Sequence, residues 1–573
     1  MPRIRKIDIS NFRGVKSFTW CPSPGINCLI GPGDSGKSTV LDAIDLCIGA
    51  RRTVQFTDAD FFELDVDQLV RITVTIGELN DALKNLDSYG LFLRGFNAAT
   101  GEVEDEPEVG LETVLTLDLT VGSDLEPVWA LVSDRAQAQG ANRNLTWGDR
   151  QQIAPTRIGA HADFNLSWRR GSVLNQLTDE KPDASAALAK AARDARTAFG
   201  TDAEDQLGET LKIVGEAASE LGIDIGGKAR ALLDAHSVSF GGGTISLHNE
   251  SGVPLRGLGI GSARLLIAGL QRKAAGQAPL LLVDELEHGL EPHRIIRFLG
   301  SLGAKEAEPP LQVFLTTHSP VALRELSGSQ LFVLREFDEA HHALAVGTDD
   351  GVQGTIRAYP DAFLARSVIV CEGASEVGLM RGIDQYQAGR GKVPPSAQGC
   401  AFLDGNGVDN LVRRAEALRG LRYRSAILRD DDKQPDAAQE QAFVDAGGTL
   451  FKWREGRALE DELFLSLPLP GIAALLEKAV DLWGEDFINE RLKTASANAL
   501  TLAMVQADIE MESLGEEQRR ILGSASRSNK ASWFKSVTLM EEIGREIVGP
   551  NAKAADKAFL AILSQILGWV SNA

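Results

Sequence analysis

At 573 residues the chain is too long for one hydrophobic core, and a prior of about 150 residues per unit implies three or four folding units. Hydrophobic residues make up 43% and charged residues 24%, an ordinary globular balance that excludes a disordered or collagen-like chain. A formal net charge of −21 excludes a body coated in basic residues, yet local Lys/Arg patches on an acidic body still meet the phosphates of DNA.

The amino terminus alternates charged and apolar residues, which predicts a strand over Ile4 to Ile9; a second follows over Ile26 to Ile30, joined through Asn11-Phe12-Arg13-Gly14. No signal-peptide core follows the first residues, and no apolar run approaches the roughly 20 residues of a spanning helix. Cys21, Cys28, Cys47, Cys371 and Cys400 are scattered without a CxxC or a Cys/His cluster, so neither a disulfide framework nor a zinc site is indicated. The expectation is a cytoplasmic protein with no membrane association.

The second strand feeds directly into Gly31-Pro-Gly-Asp34-Ser-Gly36-Lys37-Ser38-Thr39, and Val40 to Ile48 continues as an apolar helix. Strand, glycine loop and helix form the context of a phosphate-binding loop. Its backbone N–H groups cradle ATP phosphates, Lys37 reaches the β/γ-phosphates and the Ser38 hydroxyl holds Mg²⁺. Gln55 is a candidate sensor of that ion and its water.

Between about 69 and 133 the runs Val70 to Ile76 and Val114 to Val121 alternate apolar and polar residues and predict an antiparallel lobe. From about 178 to 235 the pattern turns helical, over Ala184 to Phe199 and Gln206 to Leu221, and reads as an inserted helical subdomain. A hairpin around Gly241-Gly242-Gly243 precedes the turn Gly257-Leu-Gly259-Ile-Gly261-Ser262-Ala-Arg264 and a helix over Arg264 to Ala274. In an ABC-type ATPase such a glycine-rich helix start contacts the γ-phosphate from a second subunit, because helix N-terminal N–H groups favour an anion. The wording departs from Leu-Ser-Gly-Gly-Gln, so Gly259 and Gly261 mark the location rather than individual contacts.

The apolar strand Leu280 to Val283 ends in Asp284 and Glu285, suiting a Walker B pair: Asp284 for Mg²⁺ and Glu285 to polarise the attacking water. Helix Pro292 to Leu302 and strand Gln312 to Thr316 follow, the latter ending in Thr317-His318-Ser319-Pro320, where His318 is placed to reach the γ-phosphate. His341 and His342 fall between the strand-like runs Gln330 to Leu334 and Ala343 to Val346 and read as solvated loop residues.

A domain boundary is expected near residue 365, dividing an ATPase unit (1–365, with the helical insert at about 160–235) from a second α/β unit with a helical tail (366–573). Ser367 to Cys371 is a buried strand ending in Glu372-Gly373, with Glu376 one helical turn on. Ala426 to Arg429 is another, ending in Asp430-Asp431-Asp432. In a parallel sheet, functional groups gather at the carboxyl ends of strands, so Glu372, Glu376, Asp430 and Asp432 are candidates for one site. All-oxygen donors suit Mg²⁺ or Mn²⁺, and two such ions activate water and stabilise the leaving oxygen in phosphodiester cleavage. Phe402-Leu-Asp404-Gly405-Asn-Gly407 ends the middle strand in a glycine turn that leaves room for a phosphate; any of Glu460, Asp461 and Glu462 offers a further ligand. Lys530, before Trp533-Phe534, is placed to steady charge on a cleaved phosphate. Arg413, Arg414, Arg419, Arg422 and Arg424 read either as a solvated face or as a DNA-backbone track.

The order of these motifs resembles the overcoming-lysogenization-defect (OLD) nucleases, an ABC/SMC-type ATPase followed by a Toprim domain. The resemblance rests on Asn11 to Gly14, Gly31 to Thr39, Leu280 to Glu285, Thr317 to Pro320, Glu372-Gly373-x-x-Glu376, Asp430-x-Asp432 and Lys530 to Phe534. It implies a metal-dependent DNA nuclease that nicks or cuts, is regulated by ATP, forms a homodimer through the helical insert and serves in anti-phage defence. Some members work beside a helicase-like partner protein, as the Gabija nuclease subunit does. An ATP-gated DNA clamp or damage sensor without nuclease activity is the alternative reading, and an ABC ATPase that only remodels a partner is a third.

Overall fold

The computed structural model describes the chain except residues 52, 160–162, 169–171, 178–184, 221–223, 232–244, 528–531 and 573. Among the described residues the strands form two sheets, one of 13 strands and one of four. No described helix is long and apolar enough to cross a membrane.

The large sheet has two characters. One half is antiparallel and carries Arg3–Phe12, Val15–Trp20, Val70–Gly77, Leu93–Asn97, Glu102–Glu104, Glu112–Val121 and Pro127–Leu131. The other half is parallel, running Leu331–Phe337, Ile26–Ile30, Gln312–Thr316, Leu280–Val283 and Thr156–Ile158 side by side. Every residue of Ile26–Ile30, Leu280–Val283 and Gln312–Thr316 is buried, as strands covered on both faces require. The small sheet is wholly parallel, in the order Cys400–Asp404, Ser367–Cys371, Arg424–Arg429, Thr449–Lys452. Helices run on from Leu459 to Ser571 as an extension of that unit. One apolar cluster continues from Ile26 and Leu331 through Ile356 and Phe363 to Val368 and Ile427, so both sheets share a packed core.

Several elements differ from expectation. The strand Val15–Trp20 was not foreseen, because its buried residues Val15, Phe18 and Trp20 do not keep a strict two-residue period. It pairs with Arg3–Phe12 through a two-residue turn at Arg13-Gly14. The two helices expected over 184–221 are one helix, Ser185–Glu220; the glycine between them costs only about 1 kcal/mol and does not break it. His341 and His342 lie in a strand, not a loop: Leu331–Phe337 and Ala340–Ala345 form a hairpin in which Glu336 faces His341 and Arg335 faces His342. Its turn, Asp338-Glu339, holds both residues at positive φ (51° and 60°), a conformation usually signalled by Asn or Gly, so the sequence carried no turn signal. The hairpin expected around Gly241 to Gly243 lies outside the described residues.

Candidate nucleotide and metal-ion sites

The parallel half of the large sheet brings the ATP motifs together by register. Thr316 pairs with Leu29, and Val283 with Leu315, so the loops leaving Ile30, Val283 and Thr316 open on one edge. There the Ser38 hydroxyl donates to Asp284 Oδ1 (3.0 Å), and Thr316 Oγ1 donates to the same oxygen (2.7 Å). Glu287 accepts from Thr317 Oγ1 (2.6 Å) and from the His318 N–H (2.8 Å), which sets the loop carrying the exposed His318. Lys37 Nζ folds back onto the carbonyls of Pro32 (2.6 Å) and Gly31 (3.3 Å), and burial pulls its ammonium down to about 8. Asp34, Gly31 and Gly36 all take positive φ, which curls the loop back on itself. Thr39 is half-buried on the first turn of helix Lys37–Ile48. Gln55 is exposed in the irregular segment after that helix and joins none of these contacts.

Gly259 caps helix Ile260–Lys273 with open space around it, whereas a Cβ on Gly261 would sit 2.0 Å from the Gly289 carbonyl oxygen. Gly261 is therefore a packing glycine. Arg264 is fully buried and donates to the carbonyls of Asp284 (3.0 Å), Glu285 (3.0 Å) and His288 (2.8 Å), bracing the turn that presents Glu285 at φ 46°. Arg157 belongs to no motif, yet its Nη1 lies 2.6 Å from Asp42 and 3.3 Å from Asp45, with Nη2 3.5 Å from Asp284. A lone arginine in a three-residue strand carries no signal of such a role.

The second site sits at the carboxyl ends of the small sheet. Cys371 pairs with Asp404 on one side and with Leu428 on the other, so Glu372, Asp404 and Asp430 emerge together. Glu372 Oε2 accepts the Asp430 N–H (3.1 Å), Glu376 Oε2 accepts the Gly373 N–H (3.0 Å), and Asp430 Oδ1 accepts the Leu459 N–H (2.9 Å). A cavity of about 800 Å³ is lined by Glu372, Glu376, Asp404, Asp430, Asp432 and Glu460. Burial, then the neighbouring carboxylates Glu460 and Glu372, push the Glu376 carboxyl up to about 8. Burial, with Glu376 and Glu372 next, likewise raises Asp430 well above the carboxylate range, and burial first raises Glu372 and Glu460.

The three consecutive acids 460–462 have separate roles. Glu460 faces the cavity. Asp461 caps the Ala458 N–H (3.2 Å) and pairs with Arg527 (3.3 Å), and the fully buried Glu462 pairs with Arg454 (2.6 Å) and Arg457 (3.2 Å). Asp431, between the two candidate ligands, is turned away onto Arg429, Lys452 and the Gly456 N–H. Lys530 lies outside the described residues.

Two expectations about this site are corrected. Cys400–Asp404 is an edge strand, and the space beside Gly405 is filled: a Cβ there would meet the Cys371 carbonyl at 2.8 Å; Gly407 has the open surroundings. In the basic stretch Arg413 and Arg422 are exposed, and Arg414, Arg419 and Arg424 are half-buried. Arg414, Arg422 and Arg424 lie over Tyr359, Phe337 and Trp569 at 5.6, 4.7 and 4.1 Å.

The donor set fits an oxygen-seeking divalent ion: buried carboxyls crowd one cavity, and one oxygen of Glu372, Glu376 and Asp430 is held by a backbone N–H. Among the described residues no three such side chains converge closely enough to hold an ion as they stand.

Residues 26–324 match the family described as "AAA domain, putative AbiEii toxin, Type IV TA system", and residues 363–432 match "Overcoming lysogenization defect protein-like, TOPRIM domain". The chain is 41% identical over 58 residues to the DNA replication and repair protein RecF of Teredinibacter turnerae, covering 10% of this chain and 15% of that protein. It is 31% identical over 156 residues to D-erythrulose kinase of Mycolicibacterium smegmatis, covering 26% and 25%. The chain thus spans a quarter or less of these curated relatives. The Smc head domain with an extended coiled coil derived from Pyrococcus furiosus aligns over 60% of this chain and 96% of that one, with 15% identity and a TM-score of 0.34.

Proposed function

Because the chain belongs to the AAA domain family matched over residues 26–324 and continues into an OLD-like Toprim domain, the ATPase–Toprim architecture of the OLD family, we propose that it is an ATP-binding, divalent-metal-dependent DNA endonuclease. The observation that carries this reading is the acid cavity: carboxyls pushed above their ordinary range by burial and mutual repulsion, with oxygen as their only donor.

Glu372, Glu376, Asp430, Asp432 and Glu460 would hold one or two Mg²⁺ or Mn²⁺ ions. When bound, such ions activate water and stabilise the leaving oxygen of a phosphodiester. The chain's own residues supply position. The Leu459 N–H and the Asp430 N–H fix the carboxyls of Asp430 and Glu372, and helix Leu459–Ser466 starts at the cavity with Glu460 in its first turn. At the other site Lys37, Ser38, Thr39 and the loop glycines would receive ATP, Asp284 and Ser38 would hold Mg²⁺, Glu285 would orient water and His318 would reach the γ-phosphate. ATP acts as a regulatory input to the nuclease. The exposed Gly259 helix start is suited to completing the ATP site of a second copy in a homodimer. Anti-phage defence, with or without a helicase-like partner, is the biological setting proposed.

The test is nicking of supercoiled plasmid with Mn²⁺ or Mg²⁺, with and without ATP, by the native chain and by Asp430→Asn. Native protein should yield open circles and the variant none. If the native chain leaves the plasmid supercoiled in every condition, an ATP-gated DNA clamp replaces the nuclease.

A further inference from the structure

The cavity of the Toprim unit has a cationic rim that belongs to none of the motifs. Lys433, Arg491, Arg527 and Lys535 line it together with the acids. Three of the four come from the helical extension: Arg491 on Glu485–Ala495, Arg527 just past Glu516–Ser526, and Lys535 just before Val537–Ile543.

Arg527 reaches the acids directly. Its Nη1 is 3.1 Å from Asp432 Oδ2 and its Nε is 3.3 Å from Asp461 Oδ2, so one guanidinium bridges a candidate metal ligand and a capping carboxylate. The position is built into the packing. Four residues earlier, a Cβ on Gly523 would lie 2.8 Å from the Asp461 Cα, so the two helices meet backbone to backbone, and the Arg527 N–H closes onto the Gly523 carbonyl (3.3 Å). The side chain keeps 37% of its surface exposed.

Charge decides what such a cation does. Six carboxylates line the cavity, and a phosphodiester is itself an anion. Two divalent ions cancel at most four of the acids' charges, so it is the fixed cations of the rim that let the site accept an anionic substrate. Asp432 is both the carboxylate an ion would take and the one Arg527 now holds, so ion and guanidinium compete for it. Once displaced from Asp432, Arg527 stays anchored to Asp461, with its remaining N–H groups in the cavity where a phosphate lies against the ions. Arginine suits this because its planar fork matches phosphate oxygens.

We infer that Arg527 is a substrate-binding catalytic residue: counter-ion to Asp432 in the ion-free protein, and ligand of the scissile phosphodiester once a divalent ion occupies that carboxylate. The inference rests on the nuclease reading and assigns DNA contact to the helical extension.

The experiment compares the full-length native chain with Arg527→Ala and Arg527→Lys by calorimetric Mn²⁺ titration, by binding of a labelled DNA duplex in Ca²⁺ across a salt series, and by Mn²⁺-dependent plasmid nicking. Thermal melting controls for folding. In Arg527→Ala, Mn²⁺ should bind about two- to five-fold tighter, because removing an exposed ion pair frees Asp432. The slope of log affinity for DNA against log salt should fall by about one, the signature of one lost phosphate contact. Nicking should drop about 100-fold, with part recovered in Arg527→Lys. Unchanged Mn²⁺ affinity and salt slope in a variant that melts like the native chain would overturn the inference. So would weakened Mn²⁺ binding with a lowered melting temperature, which makes Arg527 a structural tie. A native chain that neither binds Mn²⁺ nor nicks sinks the nuclease reading and this inference with it; a native chain that does both, beside an indifferent Arg527→Ala, sinks the inference alone.

Discussion

Glu376→Gln removes a titratable carboxyl that the fold buries among other acids. Glu376 is 3% exposed, and its carboxyl is raised from the ordinary 4.5 to about 8, first by burial and then by Glu460 and Glu372. Each tenfold change in proton affinity corresponds to about 1.4 kcal/mol of difference between the two protonation states. Below pH 4.5 the group is protonated in both folded and unfolded chains and contributes nothing. Between 4.5 and 8 the folded chain keeps a proton that the unfolded chain releases, so stability falls as pH rises. Above pH 8 the full penalty, about 5 kcal/mol, is in place; at pH 7 about 3 kcal/mol has accumulated. Asp430, Glu372 and Glu460 are raised as well and steepen the trend. Glutamine keeps an acceptor for the Gly373 N–H and carries no charge. Thermal melting in EDTA from about pH 5 to pH 8 should therefore show the native Toprim unit losing stability, with Glu376→Gln flatter and about 3 kcal/mol more stable at pH 7. Adding Mn²⁺ should reverse the order, stabilising the native chain and leaving the variant unmoved. Parallel melting curves in EDTA across that range would refute the claim that the acids are held together against their own repulsion.

Other expectations separate neighbouring residues that sequence alone treats alike. Glu462→Ala should destabilise the Toprim unit by about 3–5 kcal/mol in a melting experiment, because it leaves Arg454 and Arg457 without their buried partner, whereas Glu460→Gln should relieve the same crowding as Glu376→Gln, melt higher than the native chain in EDTA at neutral pH and lose Mn²⁺ affinity in calorimetry. Gly261→Ala should cost about 2–3 kcal/mol by driving a methyl into the Gly289 carbonyl; Gly259→Ala meets open space, so a fall in ATP turnover with unchanged melting would report a contact made by a second copy. Lys37→Ala should weaken binding of a fluorescent ATP analogue about 10- to 100-fold, the loss of a charge-assisted bond to phosphate.

Much of the ATP site was legible in the chain because its residues are consecutive. A glycine loop between an apolar strand and a helix, or two acids closing an apolar strand, is a local pattern, and local patterns survive without knowledge of what packs where. The Toprim acids Glu372, Glu376, Asp430 and Asp432 were legible for the same reason: each pair closes a buried strand, and parallel strands bring their carboxyl ends to one edge. The strand-like run from Ala343 was visible, but the start of strand Ala340–Ala345, with His341 and His342, was hidden because its turn, Asp338-Glu339, lacks the residues that usually mark positive φ. The ring contacts of the basic run at 413–424 were not legible, because charge along a sequence does not say whether an aromatic ring lies beneath it, as Tyr359, Phe337 and Trp569 do beneath Arg414, Arg422 and Arg424.

The sequence by itself determined the identity and order of the two α/β units and most of the groups that close their strands, since strand-end chemistry depends only on neighbours in the chain. Only the tertiary structure decided which of Glu460, Asp461 and Glu462 faces the acid cavity, that Arg157 reaches Asp284, and that Arg527 comes to rest on Asp432. Arg157 and Asp284 stand 127 positions apart and Arg527 and Asp432 stand 95 apart. Such partners are chosen by sheet register and helix packing, which no single stretch of sequence encodes.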